Sequence, residues 1–109
     1  MIHTTLFLAR CQDWAHADGT APVRVHLALT TPDENGDFWA VRGTTRHDNR
    51  RQGQAVRVNR TTFNNLKMDT TFVTTREGLV QLNVRNAGRK VGQIEETHFN
   101  QIWDQIEAK

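Results

Sequence analysis

The sequence predicts a mainly β fold: a small, strongly bent antiparallel sheet or partly open barrel, closed by one C-terminal helix. Three observations predict it. Short stretches alternate apolar and polar residues at the period of a strand, turn residues separate them at hairpin distances, and only the last apolar stripe follows the period of a helix. A chain of 109 residues is long enough for one modest core and too short for two, so a single domain over 1–109 is expected.

The elements follow in order. LFLARC, starting at Leu6, is a short apolar run that reads as a first strand. Its apolar part, Leu6 to Ala9, is too short for the core of a signal peptide and has no basic lead-in. A cytoplasmic location is therefore expected. VRVHLALT sets Val23, Val25, Leu27 and Leu29 on one face and Arg24, His26 and Ala28 on the other, the pattern of a half-buried strand. In TPDENGD, Pro32, Asn35 and Gly36 turn the chain back into FWAV, where either Phe38 or Trp39 has to face outward. AVRV, TFVTT and LVQLNV repeat the alternation, with a tight turn at Glu77 and Gly78 between the last two. Threonine pairs recur along the chain, and their branched β-carbons favour extended backbone. TTFNNLKMD suits one helical turn capped by threonine, with Phe63 and Leu66 at a spacing of three. Phe99, Ile102, Trp103 and Ile106 fall at i, i+3, i+4 and i+7 and predict an amphipathic helix that packs on the sheet, with Glu95 and Glu96 at its positive end.

Composition narrows the function. Hydrophobic residues make up 37% and charged residues 24% of the chain, and no apolar run approaches the length of a membrane span. Cys11 is the sole cysteine, so an internal disulfide is impossible. No set of His, Asp or Glu has close metal-ligand spacing, and neither a metal nor a cofactor is expected. The chain contains no serine, which excludes a serine hydrolase. A net charge of only +2 conceals an uneven distribution. Arg42, Arg46, Arg50, Arg51, Arg57 and Arg60 cluster, whereas acids gather in TPDENGD and after Ile94. A nearly neutral protein can thus carry a local anion site, or simply a solvated arginine-rich surface.

Taken together, the order GTAPVRVHLALT, an acidic hairpin with Gly36, FWAVRGTT, LKMDTTFV and KVGQIEETHFNQIWDQI resembles the MazF/PemK family of toxins from type II toxin–antitoxin modules. Leu66, Asp69, Thr70 and Val73 are similar to that family's L-x-x-D-S-x-V segment, with threonine for serine and one residue inserted. Gly92 and Ile94, followed by Phe99, Ile102 and Ile106, are similar to its last strand and helix. The resemblance implies an SH3-like barrel, usually a homodimer, that cleaves single-stranded RNA without a metal and is neutralised by a cognate antitoxin.

The resemblance also implies a site. Arg24 and Thr44 stand for the family's catalytic pair, an arginine at the start of the second strand and a threonine ending the third. A guanidinium offers two parallel donors to a phosphate, and a hydroxyl can donate to a developing oxyanion. Thr45, Arg46, His47, Arg50 and Arg51 follow as RNA-binding candidates, and an imidazole at His47 can exchange a proton near neutral pH. In the family the arginine directly precedes a proline, whereas here Ala21 precedes Pro22. Because side chains repeat with period two along a strand, Arg24 shares a face with position 22 and reaches the same cleft one step further on. The alternative is a catalytically degenerate barrel, phage or mobile-element encoded, that binds nucleic acid or a protein as a regulator or inhibitor. His26 shares a face with Arg24 and either assists it or covers the sheet. An outward Trp39 can stack on an unpaired base, and Asp13, Trp14 and His16 lie where the family carries a loop over the RNA groove.

Overall fold

Branched and aromatic residues set the strands, and the pairing between them sets everything else. A computed structural model describes residues 2–11, 17–46 and 53–108. Among these residues it has strands β1 (Thr5–Arg10), β2 (Val23–Ala28), β3 (Asp37–Thr44), β4 (Ala55–Val58), β5 (Thr70–Val73), β6 (Leu79–Asn83) and β7 (Lys90–Gln93), then helix α1 (Glu96–Glu107). Their order across the sheet is β4-β5-β3-β2-β1-β7, with β6 also paired to β3, and all pairings are antiparallel. The result is a mainly β, curled antiparallel sheet with one C-terminal helix, as the sequence predicts.

Register explains the two sides of the sheet. Leu6, Leu27, Val41 and Leu79 lie opposite one another across β1, β2, β3 and β6. On their face they join Val58, Phe72 and Ile94 in a core that Ile102 seals, with Phe99, Trp103 and Ile106 packed beside it. The helical stripe read from the sequence is therefore the stripe that α1 buries. On the opposite face Phe7, Ala9, Ala28, Phe38 and Ala40 form a second core. Ala28 and Ala40 are register partners, and their small side chains leave room for Phe7 and Phe38 to meet edge to face at 5.6 Å.

This second core corrects the half-buried reading of β2. His26, Leu27 and Ala28 are all buried, so the C-terminal half of the strand is covered on both faces. A histidine and an alanine alternating with leucine look like a solvated face, and only the bend of the sheet puts them inside. Phe38 is buried and Trp39 is 43% exposed, which settles which of the two faces outward.

Two local expectations are refined. The turn at Glu77 and Gly78 forms, with the Gly78 N–H donating to the Thr75 carbonyl at 2.9 Å. It does not make a hairpin, because β5 and β6 each pair with β3, β6 with Asp37 to Val41 and β5 with Gly43 and Thr44. Any side chain at Gly78 would strike the Val73 carbonyl, which fits glycine there. In TTFNNLKMD one helical turn closes through Asn65 N–H to the Thr61 carbonyl at 3.0 Å. Leu66 is buried, but Phe63 is 60% exposed and not its partner in the core, because a single turn is too short to present a continuous stripe.

Candidate functional site

Antiparallel pairing brings the two ends of the site together. The β2–β3 ladder ends at His26 and Arg42; Arg24 stands two residues before that end on β2, and Thr44 two residues beyond it on β3, where β3 pairs with β5. Both line one shallow depression of about 220 Å³, with Leu8, Val25, Thr45 and Thr70 around them. Arg24 is half-buried there, and Ala21 is not among the lining residues. The Thr44 Oγ1 accepts the Arg46 N–H at 3.1 Å. That bond fixes the hydroxyl as an acceptor of the turn and leaves its proton to donate elsewhere.

Thr45 lines the same depression. Alternation would have turned it away from Thr44, but β3 ends at Thr44 and the period of two ends with it. Arg46 is exposed just beyond, outside the lining of this depression. His47, Arg50 and Arg51, like Asp13, Trp14 and His16, lie outside the described residues. Trp39, though exposed, lines neither this depression nor the two that adjoin it.

Those two depressions extend the first into a groove around Leu8. One, of about 260 Å³, shares Val25, Thr45 and Thr70 with it, and the other, of about 610 Å³, shares Val23. Arg89 lines both. Arg10, Arg24, Lys67, Arg85 and Arg89 contribute cationic side chains, and no Asp or Glu is among the described residues lining the groove. A concave surface whose described charges are all positive attracts an anion far more strongly than a net charge of +2 suggests.

The arginine cluster read from the sequence divides differently. Arg42 is buried and donates to the Glu77 carbonyl at 3.4 Å. Arg57 makes an exposed ion pair with Asp69 at 3.4 Å, and the Arg60 N–H donates to the other Asp69 oxygen at 2.8 Å. These three hold structure, whereas Arg10, Lys67, Arg85 and Arg89 were missed. The bases in VRNAGRK, Val84 to Lys90, were the available signal. What makes them a groove is that β1 pairs with β2 on one side and β7 on the other, which no spacing along the chain reveals.

His26 is not in the groove. It is 1% exposed and stacks on Phe7 with ring centroids 5.5 Å apart. Its Nδ1 lies 2.9 Å from the Arg24 carbonyl, which only accepts, so Nδ1 carries the proton and Nε2 faces the Cys11 Sγ at 3.6 Å. Burial holds its pKa down to about 4, opposed by the bond to the Arg24 carbonyl and reinforced by Arg42. The imidazole covers the sheet and stays neutral. Among the described residues no group of three His, Cys, Asp or Glu side chains is placed to hold a metal ion, and no helix is long and apolar enough to cross a membrane.

No family model matches this sequence, and no curated protein matches it. The fold does have counterparts among solved structures. The Mycobacterium tuberculosis toxin MazF-mt6 is similar over 95% of this chain and 93% of its own, with a TM-score of 0.69 and 16% sequence identity. This chain has a MazF-like fold. In that MazF-like frame, the groove runs past the start of β2 and the end of β3, where the sequence resemblance places its catalytic pair.

Proposed function

We propose that this chain is the toxin of a type II toxin–antitoxin module, a metal-independent endoribonuclease acting on single-stranded RNA. The observation that carries the reading is the common depression lined by Arg24 and Thr44, beside a cationic groove with no Asp or Glu among its described lining residues. The MazF-like fold supports it. In the proposed reaction the 2′-oxygen of a ribose attacks the adjacent phosphorus and the bond to the 5′-oxygen breaks, leaving a 2′,3′-cyclic phosphate and a 5′-hydroxyl. The Arg24 guanidinium binds the non-bridging oxygens as negative charge builds on them, and the Thr44 hydroxyl donates to the same oxyanion. His47, three positions beyond Thr44 in the sequence, is the titratable candidate for the proton transfers. Thr45 and Arg46 flank the phosphate, and Arg50 and Arg51 bind its neighbours. On this reading the protein acts in the cytoplasm as a homodimer and is neutralised by a cognate antitoxin.

The test is incubation of the purified protein with mixed-sequence, end-labelled single-stranded RNA in EDTA, beside the Arg24→Ala and Thr44→Ala variants. Expected are cyclic-phosphate ends from the wild type and a loss of about a hundredfold in rate for each variant. RNA left intact by a folded wild type would instead support the non-catalytic barrel suggested by Ala21.

A further inference from the structure

The depression of about 260 Å³ beside Arg24 and Thr44 combines apolar side chains with cationic ones. Leu8, Val25, Leu66, Met68 and Val91 line it together with Asn65, Lys67 and Arg89. Apolar walls suit a flat apolar body, the two cations suit an attached anion, and a nucleotide joins both in one molecule. Thr45 and Thr70 line this pocket and the Arg24 depression alike, so a base in one is a nucleotide's reach from a phosphate in the other.

Asn65 is built for a fixed orientation. Its φ of +58° lies in the left-handed region, which few residues other than glycine and asparagine occupy readily. Its amide nitrogen donates to the Val91 carbonyl at 2.9 Å, which leaves Oδ1 as an acceptor. The neighbouring turn is held from several sides. Asn64 Oδ1 accepts from the Thr61 and Leu66 N–H groups at 2.9 and 3.0 Å, and Asn64 Nδ2 donates to the Asn59 carbonyl at 2.9 Å. Glu95 ties the turn to the start of α1 by accepting from Thr61 Oγ1 at 3.0 Å and Asn64 Nδ2 at 3.2 Å. In β7, any side chain at Gly92 would strike the Asn64 carbonyl, so glycine is what lets the turn lie this close.

We infer that this pocket receives one unstacked RNA base next to the cleaved phosphate, with the Asn65 carbonyl oxygen accepting an N–H from the base edge and so setting base preference. The inference rests on the reading of the groove as an RNA site, but not on catalysis. Asn65 is a specificity residue, and Leu8, Val25, Leu66 and Val91 form the walls that hold the ring.

The experiment uses the whole chain and four tetranucleotides that differ in one base and carry 2′-O-methyl riboses, which bind but cannot be cleaved. Wild type is compared with Asn65→Gly, which keeps the left-handed backbone and removes the amide. Expected are shifts in the Leu66 and Val91 methyl resonances on titration and a spread of about tenfold in affinity among the four oligonucleotides, collapsing to about twofold in Asn65→Gly. Methyl resonances that do not move, or a spread unchanged in Asn65→Gly, overturn the inference. A spread that includes the expected collapse in a protein that leaves RNA intact in EDTA upholds the base pocket and rejects the nuclease. Cleavage of RNA with base preference unchanged in Asn65→Gly does the reverse.

Discussion

Protonating His26 places a charge between Phe7 and Arg42 inside the second core, and the folded protein resists this until about pH 4. In the unfolded chain the same imidazole titrates near its ordinary 6.5. Between those values the unfolded state binds more protons, so stability is complete above pH 6.5, falls as pH drops toward 4, and loses roughly 3 kcal/mol in all. Urea midpoints measured across this window are expected to decline with pH in the wild type and to stay nearly flat in His26→Phe, which keeps the stacking ring without the titrating nitrogen. A slope that survives the substitution would assign the titration to another group. Glu95 acts in a lower window. Burial works to raise its pKa, but its own N–H, Asn64 and Thr61 outweigh this and lower it below the usual 4.5. Its stabilising bonds are present above the ordinary carboxylate pKa and are lost only as pH falls through the depressed one. At the same scale, Arg24 and Thr44 have their test in RNA cleavage.

The turn from Thr61 to Leu66 shows what an element demands of single residues. Asn64 is fully buried, and its amide serves both the backbone of the turn and the carboxylate of Glu95. Asn64→Ala strands those buried partners and is expected to destabilise the protein by about 2–3 kcal/mol, read as a lower midpoint with an unchanged urea slope. Thr62→Ala, in the same turn but exposed, is expected to change stability by less than about 0.5 kcal/mol. The sequence foretold the turn through its threonine cap and foretold α1 through the stripe from Phe99 to Ile106, because those signals are local. It also foretold that one of Phe38 and Trp39 faces outward, and left the choice between them to the structure. It did not foretell the second core, since Ala28, Ala40 and His26 carry no apolar signature until a bent sheet sets Phe7 and Phe38 over them. Nor did it foretell that Asp69 would hold Arg57 and the Arg60 backbone, which removed two members from the arginine cluster. Arg24 and Thr44, singled out through the resemblance, do line one depression, while the pocket beside them was not legible, because Leu8, Asn65 and Val91 meet only through pairing.

For the whole molecule, the distribution of charge decides more than its sum. A chain carrying +2 gives little uniform attraction to RNA, yet Arg10, Arg24, Lys67, Arg85 and Arg89 face one groove with no acid among its described lining. If binding follows the groove, each phosphate contact removed from it lowers the slope of log affinity against log salt by about 0.7 for a single strand. Arg85→Ala and Arg89→Ala are expected to do this each in turn, and Arg50→Ala with Arg51→Ala to do it for the neighbouring segment. Arg57→Ala removes the same charge from the molecule but from an exposed pair with Asp69 outside the groove, and is expected to leave the slope unchanged. The comparison is made by titrating labelled single-stranded RNA over a range of salt concentrations, with Arg24→Ala as background so that cleavage does not intrude. Equal losses from Arg57→Ala and Arg89→Ala would mean that the RNA answers to net charge alone. A loss confined to the groove variants ties RNA binding to the surface where β1 lies between β2 and β7, the same pairing that carries Leu8 to the centre of the site.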